Sequence, residues 1–173
     1  MTDIFQSSGA PLESPSIPPK TGTANPGMFF RRWLANPLQM GSIVPSSPAL
    51  CRRIVQQVRP APDEAVLELG AGTGVISQAL LAGGVPADRL ILVEIVPDMA
   101  AHLRRVLPGV RVIEGDARRL PDLLPPAWIG RIGAVVCGIP LVLLPVAEQR
   151  RFIDAIEAVA QGRGFMHYSY CAT

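Results

Sequence analysis

Histidine, cysteine and aromatic side chains are all scarce in this 173-residue chain, which holds two His, three Cys and 5% aromatics. With two His and no CxxC pair, a metal site lacks ligands, so no metal is expected. Cys51, Cys137 and Cys171 are odd in number and far apart, which fits reduced cytoplasmic thiols rather than a disulfide framework. Charged residues make up only 17% against 49% hydrophobic, which excludes a disordered chain and a solvated charged rod. The 18 Pro and 16 Gly follow no G-X-Y period, so collagen is excluded. No charged-then-apolar leader opens the sequence. The uncharged run from Ile132 to Ala147 is 16 residues long and contains Pro140 and Pro145. A spanning helix needs roughly 20 residues, so this run reads as a buried strand followed by an apolar loop. The length suits one domain.

What is present is unevenly distributed. Residues 1–27 hold five Pro, four Ser and no apolar period, and read as a flexible tail. Residues 28–60 carry five Arg and no acid, whereas residues 61–173 carry ten Arg against twelve acids. A basic segment of this kind points to an anionic partner, either a membrane or nucleic acid, or to a solvated helix face. Within it, Phe29, Phe30, Trp33 and Leu34 fall on one helical face, and Arg31 and Arg32 point elsewhere. Ser46-Ser47-Pro48 starts a second helix, with a Ser cap and Pro in the first turn. The chain thus divides into a tail (1–27), basic amphipathic helices (28–60) and a main domain (61–173).

In the main domain strand and helix signals alternate. Strands are predicted at Ala65–Leu69, Leu90–Val93, Val110–Ile113, Ile132–Val136 and Gly164–Tyr170. Helices are predicted at Val75–Ala82, Asp98–Leu107 and Ala147–Ala160. Alternation of this kind means βαβ units, right-handed crossovers and a parallel sheet.

The strongest motif is Glu68-Leu69-Gly70-Ala71-Gly72-Thr73-Gly74, a strand entering a glycine turn that opens a helix. Ligands of an open parallel sheet bind beyond the carboxyl ends of its strands. A dinucleotide fingerprint would place its third Gly at position 75, where Val75 stands. The G-x-G-x-G spacing with a preceding acid resembles motif I of the class I S-adenosylmethionine-dependent methyltransferases. A sulfonium cofactor with a cationic amino acid end tolerates Glu68, which a pyrophosphate would not. Glu94 ends the second strand, where a carboxylate can accept both ribose hydroxyls. Asp116 follows the third, where it can accept an adenine amino group while the next backbone N–H meets a ring nitrogen. The resemblance implies S-adenosyl-L-methionine as cofactor and Glu68, Gly70, Ala71, Gly72, Glu94, Ile95, Asp116 and Ala117 as its contacts. It implies a Rossmann-like α/β fold with parallel sheet order 3-2-1-4-5. The usual C-terminal strand pair is missing from this sequence, so the chain is expected to be a fragment or a shortened member.

The fourth strand end faces the reacting atom in this superfamily. Base-directed amino-methyltransferases carry a polar residue, Pro and an aromatic there, to hold an exocyclic amine and stack on a flipped base. This chain reads Cys137-Gly138-Ile139-Pro140-Leu141-Val142-Leu143-Leu144-Pro145. Gly138 and Leu141 occupy the polar and aromatic positions, so a base substrate is disfavoured. The apolar loop either suits an acyl chain or membrane surface, or packs as core. The segment Phe29–Ser47, this loop and Phe165–Tyr170 resemble the bacterial phospholipid N-methyltransferases, and more distantly the ribosomal RNA adenine dimethyltransferases. The lipid resemblance implies methylation of phosphatidylethanolamine toward phosphatidylcholine by a cytoplasmic enzyme held peripherally at the inner face of the membrane. Phe30, Arg31, Arg32 and Trp33 are its expected contacts with an anionic surface. Tyr170, Gly138 and Pro140 are the expected substrate-positioning residues. An RNA adenine or small-molecule methyltransferase and a catalytically inactive nucleoside-binding domain are the alternatives.

Overall fold

The computed structural model describes residues 47–168. Phe30, Arg31, Arg32, Trp33 and Tyr170, all singled out above, lie outside the described residues.

Helix α1 (Pro48–Gln57) starts where the Ser-Ser-Pro signal places it. Ser47 Oγ accepts the Leu50 N–H at 3.2 Å, and Pro48 fills the first turn, where no donor is needed. Strand β1 (Ala65–Leu69) follows, then α2 (Val75–Ala82), β2 (Leu90–Glu94), α3 (Pro97–Val106) and β3 (Arg111–Glu114). A short α4 (Leu120–Leu123) precedes β4 (Ile132–Cys137), α5 (Val146–Ala160) and β5 (Met166–His167).

All pairings are parallel, in the order β3-β2-β1-β4-β5. The class and strand order match the expectation, helix and strand ends shift by about one residue, and α4 is a short helix the sequence pattern did not announce. Strand β5 is the exception. Gly164–Tyr170 was expected, but only Met166 and His167 pair with β4, opposite Val136 and Cys137. Gly164 and Phe165 stay out of the ladder although β4 continues back through Ala134 and Val135, and residues 169–170 lie outside the described residues.

Every residue of β1 and β2 is buried, because helices cover both faces. Strand alternation sorts their side chains. Leu67, Leu69, Ile91 and Val93 join the core under α5, with Phe152 and Ile156. Val66, Leu90 and Leu92 join the opposite core, with Ile54, Ile76, Leu80 and Leu103 from α1, α2 and α3. Glu68 shares the parity of Val66, so its carboxyl enters this second core beneath α2. Strand β3 is an edge and carries exposed Arg111 and Glu114, charges that discourage further pairing.

Candidate active site

The backbone ladder does not stop at the strand ends. Gly70 N–H donates to the Val93 carbonyl at 2.9 Å, Gly138 N–H to Leu69 at 2.9 Å, and Gly115 N–H to Glu94 at 3.0 Å. Tyr168 N–H donates to Cys137 at 3.1 Å. The loops leaving β1, β3, β4 and β5 are therefore pinned to neighbouring strand ends along the carboxyl edge. The sheet order reverses between β1 and β4, which makes their loops the switch point where such folds bind ligands.

The glycine turn takes conformations that side chains resist, with φ of 71° at Gly70, 55° at Gly72 and 83° at Gly74. A Cβ on Gly70 would stand 2.9 Å from Ile139 Cγ1, whereas one on Gly72 would meet nothing within 4 Å. Gly70 thus lets the β1 and β4 loops touch, and Gly72 leaves an open backbone surface.

Glu94 is buried, and its carboxylate joins two loops. Oε2 accepts Gly72 N–H at 2.9 Å and Oε1 accepts Val96 N–H at 3.0 Å. A carboxylate offers about four acceptor sites, so two remain for a pair of hydroxyls. Glu94, Gly70, Ile95 and Ala117 share one cleft, together with Val93, Gly115, Ile139 and Phe152. Apolar walls with one carboxylate fit a nucleoside, whose base is flat and whose ribose carries adjacent hydroxyls.

Asp116 adjoins this cleft. Its Oδ1 accepts Arg118 N–H at 3.0 Å and Arg118 Nε at 2.9 Å, and Oδ2 is ion-paired with the same guanidinium. Burial opposes the charge of Asp116, but the Arg118 bonds outweigh it and hold the carboxyl below the usual range. Arg118 also donates to Glu148 of α5 at 2.6 Å and lies 5.9 Å from the Phe152 ring centroid. Asp116 therefore also caps the turn Ala117–Arg119. Arg118 makes four contacts to this carboxylate, two on each oxygen, so an amino group would share the site with the guanidinium.

Glu68 is fully buried. Burial pushes its carboxyl up to about 8, against the Ser77 hydrogen bond of 2.7 Å, and nearby Glu94 adds to the rise. Its Oε1 finds no hydrogen-bond partner among the described residues. Ala71 is buried, and Gly72 in the turn is tied to Glu94.

The β4 loop is divided. Leu141 and Leu144 pack into the core, while Val142 and Leu143 are 58% and 48% exposed. The core expectation holds for Leu141 and Leu144, and Val142 and Leu143 are open to the surface. Pro140 leads into the turn Leu141–Leu143. His167 Nε2 lies 2.9 Å from the Ile139 carbonyl and ties β5 to the same loop.

Phe152, Ile139 and Gly115 line the cleft although sequence reading did not name them as cofactor contacts. Phe152 was legible only as part of an apolar helical stripe. A wider cavity of about 310 Å³ sits at the amino end of β1, among Arg59, Glu64 and Arg89. That is the opposite edge from the glycine turn and outside the region where this fold performs chemistry.

Fold, glycine turn and strand-end acids together define a class I S-adenosylmethionine-dependent methyltransferase, whose cofactor is S-adenosyl-L-methionine. The chain belongs to the methyltransferase domain family, whose model matches residues 66–164. An ornithine lipid N-methyltransferase from Singulisphaera acidiphila is 33% identical over 141 residues, covering 80% of this chain and 71% of that protein. Ribosomal RNA small subunit methyltransferase A of a Synechococcus species is 38% identical, over 57% of this chain and 32% of that one. A solved amino pentose methyltransferase from Micromonospora echinaspora, with S-adenosylmethionine bound, is 27% identical with a TM-score of 0.53. That match covers 72% of this chain and 51% of the solved one, so the chain spans about half of that structure's length.

Proposed function

We propose that this enzyme methylates the primary amine of a membrane lipid head group. Phosphatidylethanolamine, carried toward phosphatidylcholine, is the substrate that the sequence resemblance favours. Ornithine lipid, named for the relative, presents the same chemistry of an amine on a lipid. When bound, the cofactor would supply a sulfonium methyl carbon, which an amine lone pair attacks in line as the carbon–sulfur bond breaks and S-adenosylhomocysteine leaves.

The observation that carries the reading is the β4 loop with the start of α5. Val142, Leu143 and Val146 are exposed apolar residues beside the site, and Ile153 continues the patch one heptad along α5. Exposed Arg150 and Arg151 flank it. An apolar patch with basic neighbours suits the surface of an anionic leaflet. No polar side chain at 138 and no aromatic at 141 prepares the edge for a base. Phe30, Arg31, Arg32 and Trp33 are proposed to add to the same membrane contact.

The residues divide the work. Glu94 takes the ribose hydroxyls, Asp116 and Ala117 the adenine edge, and Gly70, Ala71 and Gly72 admit the cofactor's amino acid end beside Glu68. Ile95 and Ile139 line the same cleft and would contact the base. Gly138, Pro140 and Tyr170 position the amine. A primary alkyl amine is protonated at neutral pH, with a pKa on the order of 10. The apolar β4 loop favours its neutral, nucleophilic form by desolvation. Among the described residues no helix is long and apolar enough to cross a membrane.

The test is incubation of the protein with labelled cofactor and vesicles of phosphatidylethanolamine or ornithine lipid, with ribosomal RNA and small amines as separate acceptors. Label in the lipid fraction supports the proposal, and the two vesicle types separate the head groups. The ribosomal RNA relatives make RNA the competing acceptor.

A further inference from the structure

Gly138 stands where base-directed amino-methyltransferases carry a polar side chain, and the Tyr168 hydroxyl fills that space instead. A Cβ built on Gly138 would strike the Tyr168 hydroxyl and lie 2.8 Å from Tyr168 Cζ. It would also lie 3.1 Å from the Gly70 carbonyl oxygen. The Tyr168 hydroxyl therefore reaches across the end of β4 to the glycine turn, at the switch point between β1 and β4. Two constraints hold it there. Tyr168 N–H is bonded to the Cys137 carbonyl, and the ring packs against the core that contains Ala71 and Val136. Gly70 and Ile139, on either side of this point, both line the cleft.

We propose that Tyr168 is the amine-contacting residue, its hydroxyl replacing the polar side chain that position 138 lacks. The inference rests on the amine-methylation reading. The hydroxyl oxygen accepts an N–H from the substrate amine, which turns the nitrogen lone pair toward the methyl carbon. No bond is made or broken at Tyr168 itself. The glycine at 138 follows from this arrangement, since any side chain would displace the hydroxyl. Tyr170, the contact expected from sequence, lies outside the described residues. Tyr168 carries the geometric case alone.

The test compares wild type with Tyr168→Phe, which keeps the ring and removes one oxygen. Binding is measured for S-adenosylhomocysteine and for sinefungin, the analogue with a primary amine in place of the sulfonium methyl. The variant is expected to bind S-adenosylhomocysteine as wild type does and to lose about ten-fold in sinefungin affinity. That is the order expected of one hydrogen bond to a charged group. Lipid methylation is expected to fall similarly in kcat/KM, with thermal stability unchanged. Unchanged sinefungin preference would overturn the role of Tyr168 whatever the acceptor. A sinefungin preference that depends on Tyr168, in a protein that methylates no lipid, would keep this contact and reject the lipid reading.

Discussion

At the residue scale, three acids at neighbouring strand ends meet different fates because their surroundings differ. Glu94 keeps two acceptor sites after bonding Gly72 and Val96. Replacing it with Ala should weaken cofactor binding by roughly 100-fold, since two hydrogen bonds to a charged acceptor are lost at about 1.5 kcal/mol or more each. Titration calorimetry with S-adenosylhomocysteine reads this directly, and a change under three-fold would remove Glu94 from the site. Glu68 is the opposite case, an acid driven up to about 8 chiefly by burial. It stays protonated in the folded chain while the unfolded chain loses that proton near 4.5. The native state then binds more protons than the unfolded state between these values, so this residue lowers stability as pH rises from about 4.5 to 8. Glu68→Gln should flatten that slope in melting curves taken from pH 5 to 9. A slope identical to wild type would mean that Glu68 titrates normally.

At the element scale, the glycine turn and strands β1 to β4 were legible because each is a short local pattern. Apolar runs ending in Gly or an acid announce buried parallel strands, and Gly70, Gly72 and Gly74 announce the turn. The approach of Tyr168 to Gly138 was not legible, since it joins residues 30 positions apart through the β4–β5 pairing. Sequence reading named Tyr170 as the substrate contact and gave no reason to prefer Tyr168. Phe152 was hidden for a related cause. Its stripe on α5 says that it is buried, not that the cleft floor lies above it. The bond between Asp116 and Arg118 is local, two residues apart, yet its extension to Glu148 depends on how α5 packs. The β4 loop offers a separate prediction at this scale. Val142 and Leu143 are exposed, so Val142→Asp/Leu143→Asp should leave the melting temperature nearly unchanged. The same variant should lose co-sedimentation with anionic vesicles. Full retention of binding would remove this loop from the membrane contact.

At the scale of the whole molecule, the charge distribution, the exposed loop and the sheet edge converge on one picture. The sheet gathers the strand-end loops into a row, and the proposed cofactor cleft spans the ends of β1, β2 and β3, closed by Ile139 and Phe152. The β4–β5 side carries the apolar patch and the Tyr168 hydroxyl. A lipid amine reaching the switch point from a membrane would cross that second side, while the nucleoside end stays on the first. The basic span 28–60 adds positive charge at the amino end of the same domain. The most direct test of this account is methyl transfer from labelled S-adenosylmethionine to phosphatidylethanolamine or ornithine lipid vesicles, run beside ribosomal RNA. The account predicts label in the extracted lipid, stronger in vesicles that carry anionic lipid. Label in RNA alone would contradict it.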